Sequence, residues 1–434
     1  MVIVGNGGAA AEAAMAARGA GYRGSIDLFA DNPHPPYNPM LGTYFASGAI
    51  PRQMCFPFGG PEFYERYGVR AHLNTPVALL EPSERRLMTA DGAEYTYRAC
   101  LVASGAHTTF PPVLGLESPG VCGLRSFDDA MRLKEAVADA VARAAAEKRP
   151  PHGVVLGASF AGVKVAEVLR DAGMQVCIVE KEACVLPLAA HPDCACVLEQ
   201  HLRDQGYELR LGAGIERVET ADGRLLARFG GGRAAGTAGG SGGPTRATVT
   251  AALVTDLIVV CTGSRPTLDF LAPGQVTTDM GLLVDEHMET SVPGLYAAGD
   301  VAQALNPLTG RHEVVALWAN ARRQGRVAGL NMAGVHAEYA GNLPYNITKV
   351  GGLLFASAGT VREPDVVDLD ETGGVAACAY SDGRLAGFNI VGAAIEAGPL
   401  LHALARGCDV RVSEAGGSAS EWARRVTWTS LNAG

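Results

Sequence analysis

Two glycine-rich turns carry the residue types and spacing needed to hold phosphate. In the first, the apolar run Val2-Ile3-Val4 leads into Gly5-Asn6-Gly7-Gly8-Ala9-Ala10, a Gly-x-Gly-x-x-Ala turn followed by an alanine-rich stretch. Gly5 permits the tight turn and Gly7 lets backbone approach a pyrophosphate. Gly8 and Ala9 open a helix whose N-terminal N–H groups face the anion, and Ala10 lets that helix pack close to its strand. The second, after Val154-Val155-Leu156, reads Gly157-Ala158-Ser159-Phe160-Ala161-Gly162. The strand after each turn ends in a carboxylate, Asp31 and Glu180, near the distance of about 20 residues at which an acidic side chain meets an adenosine ribose. Two such turns in one chain imply two nucleotides.

Other residues qualify as chemistry more narrowly. Tyr296-Ala297-Ala298-Gly299-Asp300 puts a Gly-Asp pair after a strand, where it presents backbone donors and one carboxylate to a polyol or phosphate; the alternative is a helix cap by Asp300. Ten cysteines lack regular spacing and read as ordinary thiols of a reducing compartment. Cys184, Cys194 and Cys196 are the only cluster, without the paired Cys-x-x-Cys of a zinc site, and no metal is expected.

The chain of 434 residues, 48% hydrophobic, calls for two or three domains. Its 36 basic and 45 acidic residues give a net charge of −9, which argues against nonspecific nucleic-acid or anionic-membrane binding. Met1 runs directly into the first strand, so no signal peptide is read. The longest apolar tract, Leu385 to Leu404, is interrupted by Asn389, Glu396, Pro399 and His402 and reads as buried strand and helix. A cytoplasmic protein is expected.

The elements that position these residues follow from local pattern. Ser25 to Phe29 and Gln175 to Val179 read as strands, and Val163 to Ala172 as a helix. His34-Pro35-Pro36-Tyr37-Asn38-Pro39 is held extended by its prolines. Arg86 to Ala90 and Ala93 to Tyr97 form a hairpin around Asp91-Gly92, and further Asp-Gly turns stand at Asp222-Gly223 and Asp382-Gly383. Apolar residues recur at helical spacing from Asp128 to Glu147, ending at Pro150-Pro151, a hinge before the second nucleotide unit. The glycine-, alanine- and serine-rich tract from Gly230 to Gly243 is a flexible loop extending a hairpin. Strand Cys100 to Ala103 closes in Ser104-Gly105, and strand Leu257 to Cys261 in Thr262-Gly263, so the repeat extends over whole domains.

These motifs, in this order, resemble the two-dinucleotide-binding-domain flavoproteins, the pyridine nucleotide-disulfide oxidoreductase superfamily. The resemblance implies an α/β protein with two Rossmann-like domains and a C-terminal α+β interface domain. Residues 1–112 and 265–335 would bind FAD, 113–264 would bind NAD(H), and 336–434 would form the interface domain. Carried over by position, Gly5, Gly7, Gly8, Ala9 and Ala10 would cradle the FAD pyrophosphate and Asp31 its adenosine ribose. Val77 would meet adenine, and Gly299 and Asp300 the ribityl chain. Asn38, Ala103, Ser104, Gly105 and Trp318 complete the implied FAD set. Gly157, Ser159, Phe160, Gly162, Glu180 and Gly263 would hold the nicotinamide nucleotide, with Glu180 favouring NADH over NADPH by repelling a 2′-phosphate.

The chain departs from its relatives in three places. Disulfide-reducing members carry a cysteine pair near the first long helix, and NADH oxidases and peroxidases a single cysteine at a position that aligns with Met40. Thiolate chemistry needs sulfur at the flavin face, so electrons are expected to leave the flavin directly. Where relatives often carry a glutamate, this chain has Lys164, which would stabilise reduced flavin, pair with a neighbouring carboxylate, or face solvent. The stretch Tyr37 to Gly48 lacks the Arg-Pro-Leu-Ser-Lys of free reductases, which turns the expectation toward a complex subunit. Arg322, Arg323 and Arg326 would steer an acidic electron-transfer partner or form a solvated helix face.

The expected activity is hydride transfer between nicotinamide and FAD with electron transfer to or from a protein partner, as the FAD/NAD subunit of a multi-subunit iron–sulfur oxidoreductase, for example one oxidising aldehydes or 2-oxoacids. The alternatives are a stand-alone ferredoxin or rubredoxin reductase or NADH oxidase and, from another class, a nucleotide-binding redox sensor without turnover. A hetero-oligomer or homodimer is expected.

Overall fold

The computed structural model describes residues 1–230, 252–307, 309–361, 366–370, 374–381, 384–392 and 397–407. The chain divides into two compact units, one of 1–107, 125–130 and 264–342, the other of 108–124, 131–263 and 343–434.

In the first unit five parallel strands line up as Leu295–Ala297, Cys100–Val102, Val2–Val4, Ile26–Phe29 and Val69–His72. Val4 lies opposite both Phe29 and Val102. The central strands are buried along their whole length, as expected of a parallel sheet covered on two faces. Asp27, polar within this core, is satisfied by Arg70 at 2.6 Å and His72 at 3.2 Å. A three-stranded antiparallel sheet, Val77–Glu81, Arg86–Thr89 and Glu94–Thr96, carries the expected hairpin, with Gly92 at φ +86° in its turn.

The helix Gly8–Gly19 packs against Trp318–Met332 by small residues on both sides. A Cβ on Gly325 would strike the Ala9 carbonyl and one on Gly329 the Ala13 carbonyl. Here backbone meets backbone, which only glycine allows.

The second unit repeats the plan. Its parallel strands run Glu208–Leu211, Gln175–Glu180, His152–Leu156, Leu257–Val260 and Val121–Gly123, with Leu156 opposite Val179 and Val260. Strands Gly214–Ala221, Arg224–Gly230 and Ala252–Thr255 add an antiparallel sheet, turning at Asp222-Gly223. Apart from Gly230, the glycine-rich tract lies outside the described residues, as does the turn Asp382-Gly383. The same unit includes a five-stranded antiparallel sheet ordered Tyr345–Val350, Leu353–Gly359, Arg384–Val391, Val375–Ser381 and Val366–Asp370. The apolar tract after Leu385 forms strand and helix, the helix spanning Ala397–Arg406. The long helix after Ser126 covers Phe127–Ala146. Among the described residues no helix is long and apolar enough to cross a membrane.

One buried ion cluster locks the second unit. The Asp256 side chain, 1% exposed, is held by Arg149 at 2.6 and 2.7 Å, by Arg224 at 3.2 Å and by the backbone N–H of His152 at 2.8 Å. Burial alone would raise its carboxyl, but Arg149, the His152 N–H and Arg224 together hold it below its ordinary 3.8. A carboxyl with a depressed folded-state value adds stability that is complete above the unfolded value and is lost as pH falls through the folded one. Asp256→Asn should therefore cost about 3 kcal/mol near neutrality. Denaturant midpoints measured across pH should show the wild type losing stability below about pH 4, with part of that slope missing in the variant.

Candidate functional sites: two nucleotide turns

The first turn is built by the sheet. Gly5 donates to the Phe29 carbonyl at 2.8 Å, and Ala103 donates to the Val4 carbonyl at 2.7 Å. With Gly5 at φ +110°, a side chain there would run into the Ala103 carbonyl. Next, Gly7 caps the helix with no side-chain bond to its first N–H groups, and nothing lies within 4 Å of where its Cβ would stand. Open backbone donors at a helix N-terminus, with no methyl in front of them, fit a pyrophosphate. Asn6 anchors the turn from behind, donating to the His34 carbonyl at 2.8 Å and to the Tyr64 hydroxyl at 2.7 Å.

The Gly-Asp turn meets the start of this helix. A Cβ on Gly299 would stand 3.4 Å from the Ala9 and 3.5 Å from the Ala321 methyl groups, and its N–H is held by Gln324 at 2.8 Å. Trp318 begins the second helix. Its Nε1 is buried without a hydrogen-bond partner in the protein and would stand 2.8 Å from a Cβ on Gly8. Such an orphaned donor beside a glycine-rich turn fits a polar ligand. Asp300 is paired with Arg125, whose guanidinium is made easier to deprotonate by burial. Arg125 is set in place by a capping box: Ser126 Oγ accepts from Asp129 N–H at 3.0 Å, while Asp129 accepts from the N–H groups of Ser126 and Arg125 at 2.8 and 3.0 Å.

The remaining residues of the first set belong to the same unit. Ser104 donates to the Thr267 carbonyl at 2.7 Å, and Gly105, at φ +70°, has open space beside it. Asp31 is exposed just past its strand and accepts from Asn32 at 3.0 Å. Val77 pairs with Thr89 in the antiparallel sheet. Asn38 caps the short 3-10 turn Pro39–Leu41, accepting from Met40 N–H at 3.0 Å. Met40 is exposed, as are Tyr44 and Met54.

The second turn copies the first bond for bond. Gly157 donates to the Val179 carbonyl and Cys261 to the Leu156 carbonyl, each at 2.7 Å. Gly157, at φ +107°, faces the Cys261 carbonyl as Gly5 faces Ala103, and a Cβ on Gly162 would strike the Gly157 carbonyl. The difference is the cap, since Ser159 Oγ accepts from Gly162 N–H at 3.2 Å and donates to the Cys261 carbonyl at 3.1 Å. Glu180 is 6% exposed and accepts from Ala158 N–H at 2.8 Å and Glu182 N–H at 2.9 Å. Its carboxylate therefore lies against the turn it was expected to serve. Gly263 has φ +115° and open space beside it, and Phe160 lies 5.9 Å from the Phe355 ring. Lys164 pairs with Glu167 at 2.8 Å and donates to the Lys349 carbonyl at 2.5 Å. The pair with a neighbouring carboxylate, one of the readings open to it, is formed with Glu167.

Sequence reasoning missed Arg125 and Gln324. The Ser126-x-x-Asp129 box would have marked the helix start but not the partner of Asp300. Two arginines of the cluster are engaged as well, Arg322 with Glu12 and over the Trp318 ring at 4.7 Å, and Arg323 with Asn342 at 3.0 Å. In the first unit Cys55 and Cys100 are buried, and burial raises both thiols. Cys194 of the second unit is pushed up to about 12 by burial.

Two Rossmann-like sheets, each ending in an open glycine turn, define a protein that binds two dinucleotides. The chain belongs to the pyridine nucleotide-disulphide oxidoreductase family, whose profile matches residues 1–325. Over 418 residues it is 30% identical to the NADH-dependent phenylglyoxylate dehydrogenase subunit epsilon of Aromatoleum evansii, a match covering 94% of this chain and 92% of that one. It is 27% identical over 389 residues to the rubredoxin-NAD(+) reductase of Ectopseudomonas oleovorans, covering 89% of this chain and 94% of the other. A solved structure of the covalent putidaredoxin reductase–putidaredoxin complex shares the fold with a TM-score of 0.84 at 20% identity, covering 99% of this chain and 98% of its counterpart. The chain is accordingly an FAD- and NAD(H)-dependent oxidoreductase that transfers electrons.

Proposed function

We propose that this chain is the FAD- and NAD-binding subunit of a multi-subunit oxidoreductase whose partner subunits carry iron–sulfur clusters and oxidise an aldehyde or a 2-oxoacid. The observation that supports this reading best is the end-to-end likeness to a dehydrogenase subunit, and phenylglyoxylate is itself a 2-oxoacid. Supporting it further, the Cys55 and Cys100 thiols are buried and raised, the opposite of what a redox thiolate needs.

In this reading Gly5, Gly7, Gly8, Ala9 and Ala10 hold the FAD pyrophosphate on backbone donors, with Asp31 at the adenosine ribose and Val77 at adenine. Gly299, Asp300 and Arg125 bind the ribityl and phosphate region, and Asn38, Ala103, Ser104, Gly105 and Trp318 complete the cradle. The nicotinamide nucleotide rests on Gly157, Ser159, Phe160, Gly162 and Gly263, with its adenosine ribose on Glu180. Bound FAD supplies the redox chemistry, accepting or giving hydride at nicotinamide and passing electrons onward. Lys164, tied to Glu167 and Lys349, is a positioning residue in this scheme.

Glu180 is the specificity element. Glu180→Gln removes the charge that repels a 2′-phosphate and weakens the hold on ribose hydroxyls, so KM for NADH should rise about tenfold, the loss of one charge-assisted hydrogen bond. The preference over NADPH, read from steady-state rates, should shrink with it. An unchanged cofactor preference would remove Glu180 from this role.

The reading itself is tested by isolating the untagged protein from its source and identifying the chains that travel with it. Cluster-bearing subunits, fast anaerobic reduction by NADH and slow reoxidation by air are expected. A second reading, a stand-alone rubredoxin or ferredoxin reductase, has the likeness to rubredoxin-NAD(+) reductase behind it. It predicts a chain that purifies alone and reduces rubredoxin rapidly, whereas fast turnover with oxygen alone would point to an NADH oxidase.

A further inference from the structure

Away from the nucleotide turns, two segments of the first unit bring imidazoles and carboxylates together at the surface. His287, His336 and Glu338 each offer a ligand atom within 4.8 Å of the others, and the two imidazole rings lie 4.4 Å apart at 66°. Nδ1 of His287 bonds the Ala337 carbonyl at 2.9 Å. A carbonyl only accepts, so Nδ1 carries the proton, and in the neutral ring Nε2 is the nitrogen that presents its lone pair. Glu286 stands 3.9 Å from that Nε2, within reach as a fourth ligand.

The cluster is built rather than incidental. Asn331 donates to the carbonyls of His287 at 3.0 Å and Ala337 at 2.8 Å and accepts from Ala337 N–H at 3.0 Å, so one side chain ties the two segments together. Asp285 accepts from the N–H groups of His287 and Glu289, each at 2.9 Å, and Tyr339 N–H donates to the Glu286 carbonyl at 2.6 Å. An imidazole whose far nitrogen is fixed by a backbone carbonyl is the outer-shell arrangement that orients histidine toward a metal. His336 and Glu338 are exposed, free to rotate inward to the ligand separation of about 3.4 Å that tetrahedral bonds of 2.0–2.1 Å require.

We propose that His287, His336 and Glu338, with Glu286 in reach, bind a divalent cation of the zinc class, clamping the loop 285–289 to the segment 335–339. Two imidazoles with carboxylate suit zinc, nickel or cobalt, whereas magnesium and calcium prefer an all-oxygen shell. Nothing in the nucleotide chemistry requires this site.

The test uses FAD-loaded protein stripped with a chelator and titrated with zinc chloride against a chromophoric zinc indicator, with thermal melting in parallel. One zinc per chain is expected, with a raised melting temperature that magnesium does not reproduce. Affinity should fall about tenfold or more in His336→Gln and in Glu338→Gln. Both positions are exposed, and retained flavin colour shows that the variants are folded. Equal zinc affinity in wild type and both variants would place the metal elsewhere, on the cysteines for instance, and overturn the proposal. So would wild-type protein that retains no zinc.

Discussion

Gly157→Val should yield a yellow protein that NADH no longer reduces. The residue sits at φ +107° with the Cys261 carbonyl 2.5 Å from where a Cβ would be, so a branched side chain meets backbone that cannot rotate away. The conformation alone costs about 1–3 kcal/mol, and the collision moves the helix N-terminus that would hold the pyrophosphate. A misplacement of about 1 Å costs on the order of a hundredfold in rate. Stopped-flow reduction under anaerobic conditions should show at least that loss, while flavin content stays near one per chain because the first turn belongs to the other unit. Normal reduction by NADH would mean that the second turn does not hold the nucleotide.

Asp300→Ala should lose flavin. Its carboxylate is paired with Arg125, whose charge is partly buried and already penalised by that burial. Removing one partner of such a pair leaves the other without compensation, at about 3 kcal/mol of stability, and losing the charge-assisted hydrogen bond proposed from Asp300 to the ribityl chain would weaken flavin binding about tenfold. Fluorescence of flavin released on dilution measures it directly. Asp300→Asn, which keeps the shape and one acceptor, should recover part of the retention. A variant that holds FAD as tightly as wild type would confine Asp300 to a structural ion pair.

The two predictions differ in how far the residues concerned were legible. Gly157 and Gly5 could be read from a few neighbouring residues, because a left-handed turn that presses against a carbonyl admits only glycine. The parallel strands were legible for the same local reason: runs such as Val2-Ile3-Val4 and Leu257 to Val260 are apolar at every position, as a sheet buried on two faces demands. Glu180 was placed by its spacing from the second turn, and it does lie against that turn. Arg125 was invisible, since nothing near it in sequence announces Asp300, and long-range ion pairs carry no periodicity. Lys164 was half legible. Its pairing with Glu167 is helix arithmetic at i,i+3, but its bond to Lys349 depends on a sheet formed much later in the chain. The arginines after Trp318 looked like free charge, yet Glu12, one turn into the first helix, had already engaged Arg322.

The seam between helices Gly8–Gly19 and Trp318–Met332 has a consequence for how the first unit can move. Gly325 and Gly329 seat one backbone directly on the other, and Gly299 fits between methyl groups of both helices. At those glycines no side chain stands between the two backbones to slide or repack, and Arg322 pairs with Glu12 alongside, so the helices act as a single rigid jaw and the first glycine turn and the Gly-Asp turn keep a fixed gap. A flavin held across that gap, as proposed above, would begin to leave at the jaw's free rim and not by any widening of the hinge.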